Sequence, residues 1–192
     1  MPLKYVALEG IDTVGKSTQI QKLKDKLPSA FFTREPGAST SGEKISDLIF
    51  DKKLAITKEA EFFLFLADRF ENFYKNILPN QNSLIVSDRS LISGMAYYHD
   101  INFSTKIHKE ILNFHPDLMP KKVILLSIDE INLKKRLQHK SNDLIELRGI
   151  SYLLKVQQNM LEILHHFNID HLQIDATKKE CDIAKEILDF IT

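Results

Sequence analysis

The chain has 192 residues, its 26 Lys+Arg are balanced by 26 Asp+Glu, and 43% of it is hydrophobic. That length suits one domain over residues 1–192. The neutral balance argues against a general binder of nucleic acid polymers, and the apolar share supports a folded core over disorder. Cys181 is the one cysteine, which excludes an internal disulfide and a cysteine-cluster zinc site, and no apolar run approaches the roughly 18 residues of a membrane span. The opening Met1-Pro2-Leu3-Lys4-Tyr5 has no signal-peptide pattern, so a soluble, cytoplasmic protein is expected.

Strands and helices alternate along the chain. A short apolar strand, Tyr5 to Glu9, is cut by Gly10, and a helix from Lys16 to Leu27 stops before Pro28. Ala30–Thr33 reads as a second strand and Ser41–Phe50 as a short helix. A long helix with a wide apolar face runs from Glu59 to Leu78, behind Thr57, and is expected to end at Pro79. A third strand, Ser83–Ser87, precedes helices at Ser90–Tyr98 and Ser104–Phe114. Lys122–Ile128 reads as a fully buried strand. Helices at Glu130–His139 and Ile150–Phe167 flank a polar stretch, and His171–Asp175 and Lys178–Ile191 close the chain as strand and helix. Five β-rich runs separated by helices imply βαβ units, an α/β fold with a parallel sheet, and ligands at the carboxyl ends of its strands.

The first such end carries the sharpest motif. Gly10-Ile11-Asp12-Thr13-Val14-Gly15-Lys16-Ser17 fits G-x-x-x-x-G-K-[ST] between a buried strand and a helix, with Thr18 following. Glycines let the backbone close around phosphates, successive N–H groups and the helix N-terminus face the anion, Lys16 reaches the terminal phosphates, and the Ser17 hydroxyl ligates Mg²⁺. The motif implies a P-loop protein that handles ATP or GTP. Asp12 is awkward beside phosphates: it either faces solvent or meets a cation or hydroxyl donor.

Arginine is scarce. Of the 26 basic residues only Arg34, Arg69, Arg89, Arg136 and Arg148 are arginine, so each is expected where a planar, permanently charged fork is needed. Three lie in motifs: Thr33-Arg34-Glu35-Pro36-Gly37 after strand two, Phe65 to Arg69 on the long helix, and Ser87-Asp88-Arg89-Ser90 leading to Ser93-Gly94-Met95-Ala96-Tyr97 after strand three. Pro116-Asp117-Leu118 and Ile174-Asp175-Ala176-Thr177 follow in order.

Taken together, these motifs resemble the thymidylate kinase family of P-loop nucleoside monophosphate kinases over nearly the whole chain. The resemblance implies a P-loop NTPase fold: a five-stranded parallel sheet of order 2-3-1-4-5, helices on both faces and a small lid. It implies ATP-dependent phosphorylation of dTMP to dTDP, with Mg²⁺ as cofactor. It assigns Arg34 and Arg89 to the dTMP phosphate, Arg69 to the thymine edge, Phe65 to stacking on the base, Tyr97 to the deoxyribose with Ser93 on the same side, and Asp12 to the sugar 3′-hydroxyl. Asp88 and Glu35 would organise the Mg²⁺ shell with Ser17, and the loop through Ala176 would flank adenine. For some of these positions the residues alone leave a second reading open. Phe65 could be core beside Phe62 and Phe63, Tyr97 could pack on the sheet, and Glu35 could be an arginine's ion-pair partner. The resemblance further implies a homodimer through the helix around Phe62–Phe73.

The polar stretch Lys140–Leu147, within a segment 140–149, fits a lid that excludes water. Here the chain departs from the family pattern. Thr13 stands where many members carry a phosphate-loop arginine, and Leu144 stands where others carry a lid arginine. Arg136, with Arg148 or Lys140 behind it, is the expected transition-state cation. Ser90 and Tyr98 replace the usual Tyr and the base-contacting Gln or Thr. A deoxynucleoside kinase remains as a rival. It would need a carboxylate base for a hydroxyl acceptor, where this chain offers clustered arginines. For a GTPase-like switch the chain lacks the guanine-specifying N-K-x-D motif, and a silent nucleotide-binding protein is separated from an enzyme by turnover.

Overall fold

Five strands form one parallel sheet in the order β2-β3-β1-β4-β5. They are β1 Tyr5–Glu9, β2 Phe31–Arg34, β3 Ile85–Asp88, β4 Lys122–Ser127 and β5 Asp170–Asp175. The computed structural model describes residues 3–138 and 149–192. The segment expected as a lid, with Lys140, Leu144 and Arg148, lies outside the described residues apart from Gly149. The central strand β1 is buried at every position, and Val123, Ile124, Leu125 and Leu126 of β4 are buried beside it. Such unbroken apolar runs belong to parallel strands covered on both faces, where full burial of each large aliphatic side chain contributes about 1.5–3 kcal/mol.

Eight helices appear among the described residues: α1 Lys16–Lys26, α2 Thr40–Phe50, α3 Lys58–Asn72, α4 Leu91–Tyr97, α5 Ile101–Phe114, α6 Glu130–Leu137, α7 Ile150–His166 and α8 Glu180–Ile191. Side chains cap five of them: Ser39, Thr57, Ser90, Asp100 and Asp129 each accept a hydrogen bond from an amide in the first turn. Asp100 explains why α5 begins at Ile101, three residues before the expected Ser104. The first helix has no such cap. Gly15 precedes it at φ +97°, so its first-turn N–H groups are left for another acceptor.

The long third helix differs most from the sequence expectation. It leaves α geometry at Phe73, widens into a π turn over Phe73–Ile77, and passes into a short 3₁₀ turn that contains Pro79. A proline in an α-helix clashes with the carbonyl four residues earlier. Here the Leu78 N–H bonds back to the Phe73 carbonyl, and the wider turn admits Pro79. Asn72, Asn76 and Asn80 lie four apart along this segment. Asn80 donates to the Asn76 carbonyl and Asn76 to the Asn72 side chain and the Ala38 carbonyl. This polar row runs beside the loop after β2 and fixes where that loop stands.

Candidate functional site

The P-loop residues Gly10 to Ser17 leave the carboxyl end of β1 and turn into α1. At Gly10 only glycine fits: an added Cβ would lie 2.6 Å from the Leu126 carbonyl oxygen, and φ is +144°. Lys16 is buried and folds back over the loop, donating from Nζ to the Gly10 and Ile11 carbonyls at 2.8 and 2.9 Å. Burial, reinforced by the nearby Arg89 charge, pulls its pKa from the usual 10.5 down to about 8. Asp88, Asp12 and Glu9 oppose that shift, and phosphate oxygens would favour the charged form further. Ser17 and Thr18 are exposed in the first turn of α1.

Arg89 joins this loop to the rest of the site. Its Nη1 donates to the Gly10 carbonyl at 3.3 Å and to Ser93 Oγ at 3.0 Å, Nη2 pairs with Asp12, and the guanidinium lies 5.2 Å from the centre of the Tyr97 ring. Asp12 therefore meets a cation, the second of its two sequence readings, and its other oxygen is buried without a hydrogen-bond partner among the described residues. Asp88, one residue earlier, also has a buried carboxylate oxygen with no partner among the described residues.

A cavity of about 630 Å³ opens beside Arg89. Glu35, Phe65, Arg69, Arg89, Ser93 and Tyr97 all line it, so six of the eight positions expected on the acceptor side share one wall. Asp12 contacts it through Arg89. Arg34 stands apart: it ends β2 opposite Asp88 in register, is exposed, and makes no hydrogen bond or ion pair among the described residues. Phe65 is half-buried, 6.0 Å from the Arg69 guanidinium and edge-on to Phe50 at 6.2 Å, so it belongs to the cavity wall and not to the core. The Tyr97 hydroxyl is buried beside Arg89, and burial raises its pKa while the Arg89 charge lowers it.

Glu35 and Arg69 form a buried ion pair at 2.8 Å. Asn72 donates to the other Glu35 oxygen and accepts from the Thr33 hydroxyl, and Arg69 Nε also donates to the Ser90 carbonyl. Burial pushes the Glu35 carboxyl up to about 7, while the Arg69 charge pulls it down. The ion-pair reading of Glu35 is the one this geometry matches. Arg69 lies flat against α4 because residue 94 is glycine: a Cβ there would come within 2.5 Å of Nη1 and 2.7 Å of Cζ. Gly42 gives the same clearance to Asp68, which accepts from the Gly37 amide and so fastens the loop after β2 to α3.

Arg136 lies on the far side of the P-loop. It donates to the Thr13 carbonyl at 2.9 Å and to the Ala176 carbonyl at 2.5 Å, bridging the P-loop to the loop after β5. No group of three or more His, Cys, Asp or Glu side chains that could hold a metal occurs among the described residues.

Several site residues escaped the sequence reading. Glu9 is fully buried and accepts from both Ser90 and Ser93. A carboxylate closing an otherwise apolar strand was its available signal. Asp68 and Asn72 follow the buried face of α3 at four-residue spacing. Tyr152 of α7 lines the cavity and donates to the Tyr97 carbonyl at 2.8 Å, and nothing local in the sequence marks it.

A family model described as Thymidylate kinase matches residues 8–187. Curated proteins named Thymidylate kinase are similar over nearly the whole chain. One from Aliarcobacter butzleri is 44% identical over 187 residues, covering 97% of this chain and 98% of its own. One from Helicobacter hepaticus is 43% identical, with 97% of each chain covered, and one from Nautilia profundicola is 44% identical over 91% of this chain and 89% of its own.

Gly94→Ala is expected to leave the fold intact, because only the movable end of Arg69 obstructs the new methyl group. Displacing that buried fork should weaken dTMP binding about tenfold and leave ATP binding unchanged, read by calorimetric titration. An unchanged dTMP affinity contradicts a binding role for the Arg69 fork.

Proposed function

The chain belongs to the thymidylate kinase family and phosphorylates dTMP to dTDP with ATP as co-substrate; we propose that it does so by direct in-line transfer across the junction held by Arg89. The supporting observation is that one guanidinium is bonded to the P-loop carbonyl of Gly10 and also lines the adjacent cavity. The two phosphates that exchange the phosphoryl group would meet there. Transfer between phosphates needs positioning and cations where charge spreads, and it needs no covalent intermediate. The acceptor phosphate is already largely ionised near neutral pH, its second pKa being about 6, so no general base is required.

In this reading the P-loop amides from Gly10 through Thr18 and the Lys16 ammonium hold the ATP phosphates, and the loop at Ala176 flanks adenine. Arg89 grips the dTMP phosphate. Arg34, exposed and without an ion pair among the described residues, is available to swing onto it from the end of β2. Arg69 addresses the thymine edge with its charge balanced by Glu35, Phe65 stacks on the base, Tyr97 packs on the deoxyribose beside Ser93, and Asp12 accepts from the 3′-hydroxyl. The donor set fits Mg²⁺: Ser17 is exposed at the head of α1 and Asp88 keeps a buried oxygen without a partner. When bound, the ion would neutralise phosphate charge, held by Ser17 and the nucleotide, with Asp88 near its waters. Glu35 is committed to Arg69 and Asn72 and would reach the ion only by leaving them. Arg136, pinned between Thr13 and Ala176, is placed to hold the nucleotide-side loops together and to offer a cation there; Arg148, the second candidate, lies outside the described residues.

A deoxynucleoside kinase is not favoured. The cavity carboxylate nearest the arginines, Glu35, is tied to Arg69 and Asn72 and is not free to act as a base. The cytoplasm is the proposed location, and no helix among the described residues is long and apolar enough to cross a membrane.

ADP release from Mg-ATP should be fast with dTMP and absent with thymidine, and Arg136→Ala should lower turnover at least about tenfold. Turnover with thymidine instead of dTMP contradicts the phosphate-acceptor reading. A wild-type rate for Arg136→Ala removes Arg136 from the machinery.

We propose a homodimer that pairs through the outer face of α3. Phe62 of that helix is buried, whereas Phe63 is 50% exposed, a large aromatic surface for a helix face in water. Sedimentation at micromolar concentration is expected to give twice the 22.2 kDa chain mass, and the chain mass itself contradicts the proposal.

A further inference from the structure

The acceptor phosphate site depends on a carboxylate that touches no substrate. We infer that Glu9 is a positioning residue: it sets the direction of the Ser93 hydroxyl and thereby holds Arg89 aimed at the acceptor phosphate. The inference rests on the reading of Arg89 given above.

Glu9 is the last residue of β1 and is completely buried. Its Oε1 accepts from Ser90 Oγ at 2.7 Å and from the Ser93 amide at 3.3 Å, and its Oε2 accepts from Ser93 Oγ at 2.6 Å. No ion pair to it occurs among the described residues. Two arginines line the neighbouring cavity, yet this carboxylate is matched by hydroxyls and one amide. An ionised carboxylate can only accept. The single Ser93 hydrogen is therefore committed to Glu9, which turns the serine lone pairs toward Arg89 Nη1 at 3.0 Å. Arginine can only donate, so it needs that lone pair. With Gly10 O and Asp12, Ser93 Oγ is one of three acceptors that fix the guanidinium.

Glu9→Gln keeps size and shape and reverses one end. The amide oxygen would stay on the Oε1 side, where two donors converge. Its NH₂ group would then face Ser93 Oγ and take one of the two serine lone pairs. The serine hydrogen would lose its acceptor and the hydroxyl would turn to find another, so the remaining lone pair would no longer be held toward Arg89 Nη1. The bonds from Arg89 to Gly10 O and from Lys16 to the P-loop carbonyls do not involve Glu9, so the nucleotide side should be spared.

The test measures the Kd of dTMP by calorimetry, beside KM and turnover, for wild type, Glu9→Gln, Ser93→Ala and the double variant. Glu9→Gln is expected to raise the dTMP Kd and KM about tenfold, Ser93→Ala by a similar factor, and the double variant no further, with the Kd of Mg-ATP within about twofold throughout. A dTMP Kd within about twofold of wild type in Glu9→Gln overturns the inference, as do effects that multiply in the double variant. Equal losses for dTMP and ATP would show a merely structural role and overturn it too. Should Glu9→Gln not fold, Ser93→Ala decides alone: an unchanged dTMP Kd removes the relay. Wild-type turnover with dTMP tests the functional reading separately, since the Kd ratios report on the relay whether or not transfer occurs.

Discussion

A single half-buried guanidinium joins the two halves of this site. Arg89 begins the chain after β3, yet its contacts are the carbonyl of Gly10, the carboxylate of Asp12 and the hydroxyl of Ser93, two of them on the P-loop and one on α4. Its backbone sits at φ +74°, the left-handed region, which costs a non-glycine residue about 1–3 kcal/mol. That strain is opposed by the Arg89 amide bonding to the Leu8 carbonyl and by the Ser87 hydroxyl donating to the Arg89 carbonyl. The sheet therefore forces the side chain toward the P-loop. In the proposed function, a guanidinium ordered in advance would spare the acceptor that cost on binding and would place positive charge where the two phosphates approach.

The same logic governs the rest of the cavity. Three of its buried charged groups are matched before any substrate arrives: Arg69 by Glu35, Glu35 by Asn72, Asp68 by the Gly37 amide. Buried charges cost several kcal/mol each unless paired, and a pair that loses one member is strongly destabilising. The glycines at 42 and 94 belong to this arrangement, since they let Asp68 and Arg69 lie against helix backbone. The fork proposed to read the base thus has its position set by backbone clearance on one side and an ion pair on the other.

The sequence showed the two ends of this account more clearly than its middle. The strand Tyr5–Glu9 matches its expected limits residue for residue, because an apolar run cut by glycine before a phosphate motif has few other readings. The strand order 2-3-1-4-5 was implied by family likeness and is the order found; local pattern alone does not encode which strands are neighbours. The scarcity of arginine singled out Arg34, Arg69 and Arg89 alike; Arg69 and Arg89 line the cavity, whereas Arg34 stands exposed outside it. The break of α3 at Phe73 was illegible because it depends on relieving the Pro79 clash by widening the preceding turn. Glu9, Asn72 and Tyr152 were missed for a common reason. Each acts on another side chain or carbonyl across a tertiary contact, and such a contact leaves no periodic or spaced trace in the chain.

The central claim is that Arg89 acts as a pre-aimed fork and not merely as a positive charge. Arg89→Lys tests it most directly, since it keeps the charge and removes the geometry. Titration with dTMP and Mg-ATP, together with single-turnover phosphoryl transfer, should show a loss of about 10²-fold or more in transfer to dTMP with ATP affinity retained. Transfer at a rate close to wild type in Arg89→Lys would contradict the account, because charge alone would then suffice at the junction of the two phosphates.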